Sequence, residues 1–260
     1  MFELFSDIFT YRENRFTEVD PRVKLVVALA AILLVLFARR PALPLLVAGA
    51  ALGTMFALRF PFRVVAGRLS IPVGMVGVIF ALRLFTTTGE PLFTLKLLGF
   101  ALHATREGLR LGALVAVRVL AATSVLVLLG MVAPAHALFR ALLWFRLPRS
   151  LVEVGLLMYR FIFVLLDIAA DMATAQTLRL GYRGAARSLR SVGTLAGAVL
   201  VKSLDQAART SEAMVLRGYA GTMPVGVLRP ITRSELRWMF GLTAALGIAY
   251  FAAETAVVLR

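Results

Sequence analysis

Long apolar runs separated by short polar or basic segments make up most of this chain. Five of them reach or approach the roughly 20 residues that a helix needs to cross a bilayer. They are Val23–Ala38, Pro41–Leu58, Leu69–Phe85, Leu109–Val132 and Leu236–Leu259. The first has only 16 residues and needs snorkelling flanks such as Lys24 and Arg39. A sixth run, Leu92–Leu102, is too short to cross and predicts a re-entrant or interfacial piece.

The middle of the chain breaks this pattern. Residues 133–235 contain no clean span, show helical periodicity and carry 13 of the 29 lysines and arginines. We therefore predict an N-terminal segment with four transmembrane helices in 1–132, a cytoplasmic or interfacial helical region in 133–235, and the last span in 236–260. Because basic residues accumulate in cytoplasmic loops, the N-terminus is also predicted to be cytoplasmic.

The first long helix of this middle region is predicted from its end signals. It begins after Pro148, with Ser150 as the N-cap, and ends near Leu180. Gly181 is then expected to take the left-handed position that follows many helices. The helix is too apolar to be an ordinary solvated helix and too charged to be a comfortable lipid-facing span, which favours an interfacial position.

A second long helix follows after a basic turn. It is predicted from about Ser191 to Leu216 or Arg217, with Gly218 stopping it. The two helices are expected to form an antiparallel hairpin on the cytoplasmic side. The predicted fold class is an all-α integral membrane protein with about five transmembrane helices and this long helical hairpin.

Composition supports a membrane location. The chain is 60% apolar and its mean hydropathy is +0.86, well above the 45–50% apolar share that is usual for soluble domains. The formal charge of +15 is explained by basic cytoplasmic loops that face anionic lipid, so no nucleic-acid partner is predicted. With no cysteine in the sequence, disulfides and thiolate metal sites are excluded.

Sequence signs of catalysis are missing. The chain has no GxxxxGK[ST] phosphate loop, and His103 and His136 lie far apart without neighbouring nitrogen or sulfur ligands. We therefore predict a protein that is not an enzyme and that holds no cofactor and no metal. Arg118 in the fourth span and Glu254 in the last are predicted to form an intramembrane ion pair, which fixes helix register rather than binding substrate.

Two similar arginine segments end the two long helices, "TLRLG" at residues 177–181 and "VLRGY" at residues 215–219. An arginine in the last turn favours the helix dipole, and a glycine caps the helix. Helix capping explains a single end of this kind fully, but it explains less well why two long helices end in the same way. Two parallel or crossed ends would form a bidentate docking surface for carboxylates on a partner that is itself a dimer.

Three stretches of the chain resemble the transmembrane T component of energy-coupling factor (ECF) transporters. They are "DPRVKLVVALAAILLVLF", "RFIFVLLDIAADMATAQTLRLG" and "AGAVLVKSLDQAARTSEAMVLRGYAG". In that family, two Ala-Arg-Gly-type signatures end the coupling helices and dock on two ABC-type ATPase subunits. By this resemblance Arg179 and Arg217 are the signature arginines, followed by Gly181 and Gly218.

The sequence departs from those signatures at three positions. Leu178 and Leu216 stand where alanine is typical, and Leu180 stands where glycine is typical. The resemblance implies that the two ATPases hydrolyse ATP and that a small membrane S component binds the substrate. It also implies a location in the bacterial cytoplasmic (inner) membrane. The S component is expected to contact a small-residue helix face that consists of Leu204, Ala208, Ser211 and Val215.

The resemblance is greatest to the CbiQ branch, which implies cobalt uptake with a separate metal-binding subunit. Nickel, or a vitamin such as biotin, stays open as the substrate. Two functions of other classes also stay open. One is a stand-alone secondary transporter, and the other is a membrane scaffold whose basic region binds anionic lipid.

Overall fold

The computed structural model describes residues 19–88, 91–97, 100–223 and 230–255. Within these ranges the chain is almost entirely helical, as the sequence predicts, with one short β-hairpin. The elements are α1 (Pro21–Phe37), α2 (Ala42–Ala57), α3 (Phe62–Thr86), β1 (Pro91–Leu97), β2 (Phe100–Thr105), α4 (Arg106–Val132), α5 (Ala135–Leu142), a 3-10 turn (Leu143–Phe145), α6 (Arg149–Leu178), α7 (Ala185–Leu216) and α8 (Arg233–Thr255).

Three of these helices are long and apolar enough to cross a membrane. They are α3, α4 and α8, with 25, 27 and 23 residues. Helices α1 and α2 have 17 and 16 residues, which is short of the usual crossing length. These helices confirm the integral membrane class, and a crossing by α1 and α2 stays a prediction.

The run Leu92–Leu102, predicted as a re-entrant or interfacial piece, falls on a pair of β-strands, and its position at the membrane stays a prediction. Strands β1 and β2 pair antiparallel, with Leu95 opposite Leu102 and Lys96 opposite Ala101. A signal for strands was present in the sequence, because Thr94 and Lys96 alternate with apolar residues. The overall hydrophobicity of the run hides that alternation.

The chain divides into two compact units. One comprises Met1–Pro134 together with Arg229–Arg260, and the other comprises Ala135–Leu228. The first unit is built around α4, which packs against α1, α2 and α3, while α8 packs on α1. Its core is formed by small and branched side chains, which allow close helix approach: Ala28, Ala31, Val35, Leu43, Val47, Ala51, Ala121 and Val125.

Two basic side chains tie α1 to α4 within this unit. The Lys24 Nζ donates a hydrogen bond to the Val132 carbonyl at 3.3 Å. The Arg118 guanidinium donates to the Ala38 carbonyl, from Nε at 3.0 Å and also from Nη2. Fourteen positions separate Lys24 from Ala38, and 14 separate Arg118 from Val132. The two helices therefore run antiparallel in matched register, with one tie at each end.

This geometry corrects the predicted ion pair in the membrane. Arg118 satisfies the carbonyl that follows the last turn of α1, where no intrahelical donor is left. Glu254 lies in the last turn of α8, and no ion pair joins it to Arg118 among the residues that the structure describes. Sequence alone identified the unusual arginine but not its acceptor, because a backbone carbonyl leaves no mark in the sequence.

Candidate partner-docking surface

Helices α6 and α7 of the second unit form an antiparallel hairpin, as predicted. Met172, near the end of α6, lines a groove together with residues 190–202 in the first half of α7. Residues 154–165 of α6 line a second groove with residues 203–219 at the other end of α7. The start of α6 therefore lies beside the end of α7, and the tight turn joins their other ends.

Side-chain hydrogen bonds fix the turn between the two helices. The Gln176 Nε2 donates to the Ser191 carbonyl at 3.1 Å, and the Tyr182 hydroxyl donates to Gln176 Oε1 at 2.7 Å. The Ser191 Oγ donates to the Gly181 carbonyl at 2.8 Å. Sequence reasoning did not identify this network, although polar residues beside a helix end are a signal for one. It attaches the end of α6 firmly to the start of α7.

Helix α6 ends in a Schellman motif. Arg179 is the C-cap, and Leu180 follows in the left-handed region with φ +57°. The Leu180 N–H donates to the Thr177 carbonyl, and the Gly181 N–H donates to the Gln176 carbonyl at 2.8 Å. These are the two crossing hydrogen bonds that define the motif.

Helix α7 ends in the same Schellman motif, with an arginine at the equivalent C-cap position. Arg217 is the C-cap, and Gly218 follows with φ +79°. The Gly218 N–H donates to the Val215 carbonyl at 2.9 Å, and the Tyr219 N–H donates to the Met214 carbonyl at 3.0 Å. The structure thus aligns Arg179 with Arg217, as the sequence predicts, but it aligns Leu180 with Gly218.

Several predicted helix ends need correction. Gly181 does not take the left-handed position, because Leu180 takes it. Helix α6 begins at Arg149, and Pro148 stands at its cap position without a side-chain hydrogen bond, so Ser150 is not the N-cap. Helix α7 begins at Ala185, six residues before the predicted Ser191, because the basic joining segment is itself mostly helical.

Both arginine ends project outward. The side chains of Leu178 and Leu216, next to the two arginines, are 80% and 88% exposed. Arg179 and Arg217 are exposed too, and neither guanidinium forms a hydrogen bond or an ion pair with a residue in the described part of the chain. Each end therefore presents an unshielded cation beside a large apolar side chain.

The two ends lie far apart, and the expected single bidentate surface is wrong. Arg179 precedes the turn into α7, whereas Arg217 ends α7. Helix α7 has 32 residues, and a rise of 1.5 Å per residue makes it about 48 Å long. Because the hairpin is antiparallel, the arginine ends lie at its opposite ends, as two separate candidate docking points.

The rest of α7 also presents an open face. None of its residues is buried, and the four predicted S-component contacts are all exposed: Leu204, Ala208, Ser211 and Val215. Ser211 and Val215 also line the second groove against α6. A helix of this length with exposed leucines and valines is typical of a surface that another chain covers.

His136, a titratable group of the second unit, lies in the first turn of α5. Burial, and to a lesser degree the neighbouring Arg140, lower the pKa of His136 from its ordinary value of 6.5. No group of three or more His, Cys, Asp or Glu side chains that could hold a metal ion lies among the described residues. His103 lies in β2, in the other unit.

Comparison with known proteins identifies the family. The model of the CbiQ family, described as cobalt transport protein, matches residues 13–225, which is most of the chain. The chain belongs to the CbiQ family. The matched range contains the whole α6–α7 hairpin with both arginine ends, and it stops before α8 begins at Arg233.

Curated relatives agree with this family assignment. The cobalt transport protein CbiQ of Rhodobacter capsulatus is 34% identical over 200 residues, which cover 77% of each chain. The CbiQ protein of Salmonella typhimurium is 32% identical over 158 residues, covering 59% of this chain and 69% of the relative. A protein of Methanocorpusculum labreanum, provisionally named a fused cobalt transport protein CbiMQ, is 30% identical over 209 residues, covering 79% of this chain and 35% of the relative.

Proposed function

We propose that this CbiQ-family chain is the transmembrane coupling (T) subunit of an ECF-type ABC importer for cobalt. In this role it links two ABC-type ATPase subunits to a small membrane S component that binds the metal. The chain itself neither hydrolyses ATP nor holds the cargo, and it lies in the bacterial inner membrane with a cytoplasmic N-terminus. The membrane helices and the family together support a transport component of the membrane.

One observation carries the coupling role. Two helix ends of the same hairpin share an exposed Leu-Arg pair, a Schellman cap and a C-cap arginine without a partner among the described residues. A capping role needs neither exposed leucines nor identical geometry at both ends. A pair of equivalent docking points is what a partner with two equivalent subunits requires, since each subunit then receives one end.

The chemistry of each end suits a groove on a protein partner. The guanidinium offers a planar set of donors for a carboxylate, and the neighbouring leucine side chain supplies apolar area around it. Desolvation of the arginine by the leucine strengthens such a hydrogen-bonded pair once it is formed. Movement of the ATPases would then pass through the hairpin, whose turn is fixed by Gln176, Tyr182 and Ser191.

The names of the relatives support cobalt as the proposed substrate. Two of them carry cobalt transport protein CbiQ as their name, and the fused protein combines a CbiQ-like part with additional chain. In that relative the CbiQ-like part is covalently joined to another part of a cobalt transport protein, which supports a partner for this chain. The exposed face of α7 that includes Leu204 and Val215 is the surface on which we place the S component.

A charge-reversal experiment tests the two docking points. The chain is co-expressed with its ATPases, and association is measured after purification in mild detergent. Arg179→Glu and Arg217→Glu are each expected to weaken association by at least about thirtyfold, because a buried hydrogen-bonded cation is replaced by a repelling anion. Arg217→Lys is also expected to weaken it, because the planar fork is lost.

Matched controls lie on the same two helices. Arg160 of α6 and Arg209 of α7 are exposed and lie away from the arginine ends, so Arg160→Glu and Arg209→Glu are expected to retain the ATPases. Membrane insertion of all five variants should match that of the unchanged chain. Full ATPase association in the Arg217→Glu chain would contradict the coupling assignment.

A further inference from the structure

The turn end of the α6–α7 hairpin carries a long stretch of chain without any acidic residue. No Asp or Glu occurs between Asp171 and Asp205. Five basic residues lie in that interval: Arg179, Arg183, Arg187, Arg190 and Lys202. Positive charge is therefore concentrated at one end of the hairpin and has no neutralising neighbour along the sequence.

The remainder of the hairpin differs sharply from this end. Its acidic and basic residues are intermixed and nearly balanced in number: Arg149, Glu153, Arg160, Asp167 and Asp171 on α6, and Asp205, Arg209, Glu212 and Arg217 on α7 or at its end. A general excess of basic residues in cytoplasmic segments would give the whole hairpin a positive charge. It would not leave half of the hairpin with nearly equal numbers of acidic and basic residues. The positive charge at the turn is therefore a local feature, which indicates an anionic partner at that end of the hairpin.

Three of these arginines have no other role in the fold. Arg183, Arg187 and Arg190 are exposed, and their side chains form no hydrogen bond or ion pair within the described part of the chain. Arg179 differs from them, because it is the C-cap of α6 and belongs to the docking point described above. The three arginines therefore form a separate cluster, which we call the turn cluster.

Apolar side chains accompany the turn cluster. Leu189, between Arg187 and Arg190, is 76% exposed, and Val192 and Leu200 are exposed further along α7. A helix that presents leucines beside arginines matches the composition of segments that lie in the interface of a membrane, where apolar side chains reach the acyl boundary and cations meet the headgroups. An acidic protein surface would match the charge as well, so the experiment below includes that partner among its outcomes.

We propose that the turn cluster binds the anionic headgroups of the membrane surface and so attaches the turn end of the hairpin to the bilayer. Three helices in the described part of the chain are long and apolar enough to cross a membrane, so lipid headgroups lie near it. Each arginine near an anionic surface increases binding about fivefold, and three increase it roughly a hundredfold. This attachment is independent of ATPase docking and needs no second protein.

The sequence without cysteine makes a direct test possible. Ala186→Cys, at an exposed position within the turn cluster, is labelled with a polarity-sensitive fluorophore. The full chain is then placed in nanodiscs of phosphatidylcholine alone or with about one third phosphatidylglycerol. We expect a blue-shifted emission in the anionic discs only, and its loss at high salt, where the Debye length falls to about 3 Å.

Substitutions separate lipid binding from a change in fold. Replacing Arg183, Arg187 and Arg190 together by Gln is expected to abolish the blue shift, whereas replacing the same three by Lys is expected to keep it, because a lipid surface responds to total charge. Arg160→Gln with Arg209→Gln removes two exposed arginines elsewhere on the hairpin and should leave the shift intact. Circular dichroism checks that each variant keeps its helices.

Three outcomes would overturn the proposal. Equal emission in both kinds of disc would show that the turn does not meet the headgroups. A shift that survives the triple Gln substitution would show that the cluster is not responsible. A shift that is absent in anionic discs and develops only after purified ATPases are added would identify an acidic protein surface as the partner.

Discussion

At the scale of single residues, Leu180 and Gly181 show how this chain accommodates an unusual helix end. Leu180 has φ +57°, a conformation that costs a residue with a Cβ about 1–2 kcal/mol. Gly181 is needed for a different reason. A Cβ on it would lie 2.8 Å from the Ser191 Oγ and 2.9 Å from the Gln176 carbonyl oxygen, both of which belong to the hydrogen-bonded turn.

These two positions predict opposite effects of substitution. Leu180→Gly should raise the free energy of unfolding by up to about 1 kcal/mol, because glycine adopts the left-handed conformation without steric cost. Gly181→Ala should lower it by about 1–3 kcal/mol, because the turn must move to admit a methyl group. Thermal unfolding in detergent measures both. A stabilised Gly181→Ala chain would contradict the turn geometry.

The sequence predicted the left-handed residue one position too late for a clear physical reason. Glycine is the usual residue after a helix, so Gly181 was the natural choice over a leucine. The real position is set by the paired hydrogen bonds to Thr177 and Gln176 and by the turn beyond them. At Gly218 no such competition exists, and there the prediction was correct.

At the scale of elements, α1 and α4 are held together by reciprocal ties between a basic side chain and a backbone carbonyl. Lys24 donates a hydrogen bond to the carbonyl of Val132 at the end of α4, and Arg118 donates to the carbonyl of Ala38 just after α1. Inside a membrane protein, an unsatisfied carbonyl at a helix end costs more than it does beside water. The ties therefore allow α1 to end after only 17 residues.

Removal of the arginine tests this tie. Arg118→Met keeps an unbranched, largely apolar stem but leaves the Ala38 carbonyl without its donor, which should cost about 1–3 kcal/mol of stability. Glu254→Gln should leave stability unchanged, since Glu254 does not pair with Arg118. Apparent melting temperatures in detergent compare the two variants. Equal decreases in melting temperature for both variants would contradict this contact and support the ion pair predicted from the sequence.

Elements were predictable where one physical signal dominated. The apolar runs 23–38, 41–58, 69–85, 109–132 and 236–259 predicted helices because their length and hydropathy exceed what a strand requires. In the described part of the chain, α1, α2, α3, α4 and α8 lie over these runs. The run around Leu95 and Leu102 was short, and its alternation of polar and apolar positions was masked by a high apolar content. Hydrogen-bonded ties such as Arg118 to Ala38 depend on which helices meet, and sequence spacing does not contain that information.

At the scale of the whole molecule, the proposed coupling function makes the two arginine ends separate docking points, and their separation predicts how transport fails. A subunit that is moved through both ends needs both of them, so Arg179→Glu and Arg217→Glu should each reduce cobalt uptake nearly as much as the double substitution. Uptake of radioactive cobalt into cells that carry the complete transporter measures this effect. Arg160→Glu and Arg209→Glu serve as matched controls in the same cells.

The substrate assignment is tested in the same cells. Labelled nickel and labelled biotin should enter equally with and without this chain, whereas cobalt entry should depend on it. If the two single substitutions each left half of the cobalt uptake, the ends would act independently. A chain that imported cobalt without ATPases would contradict the coupling function and favour a stand-alone transporter.

Under the proposed coupling function, the antiparallel course of the hairpin allows its partners to rotate it. Two equal forces applied at opposite ends of a rigid bar in opposite directions form a couple, and a couple produces pure rotation about the centre. With α7 about 48 Å long, each lever arm is about 24 Å, so opposite displacements of about 5 Å at the ends turn the bar by about 12°. Parallel helices with adjacent ends would only have been pushed or pulled.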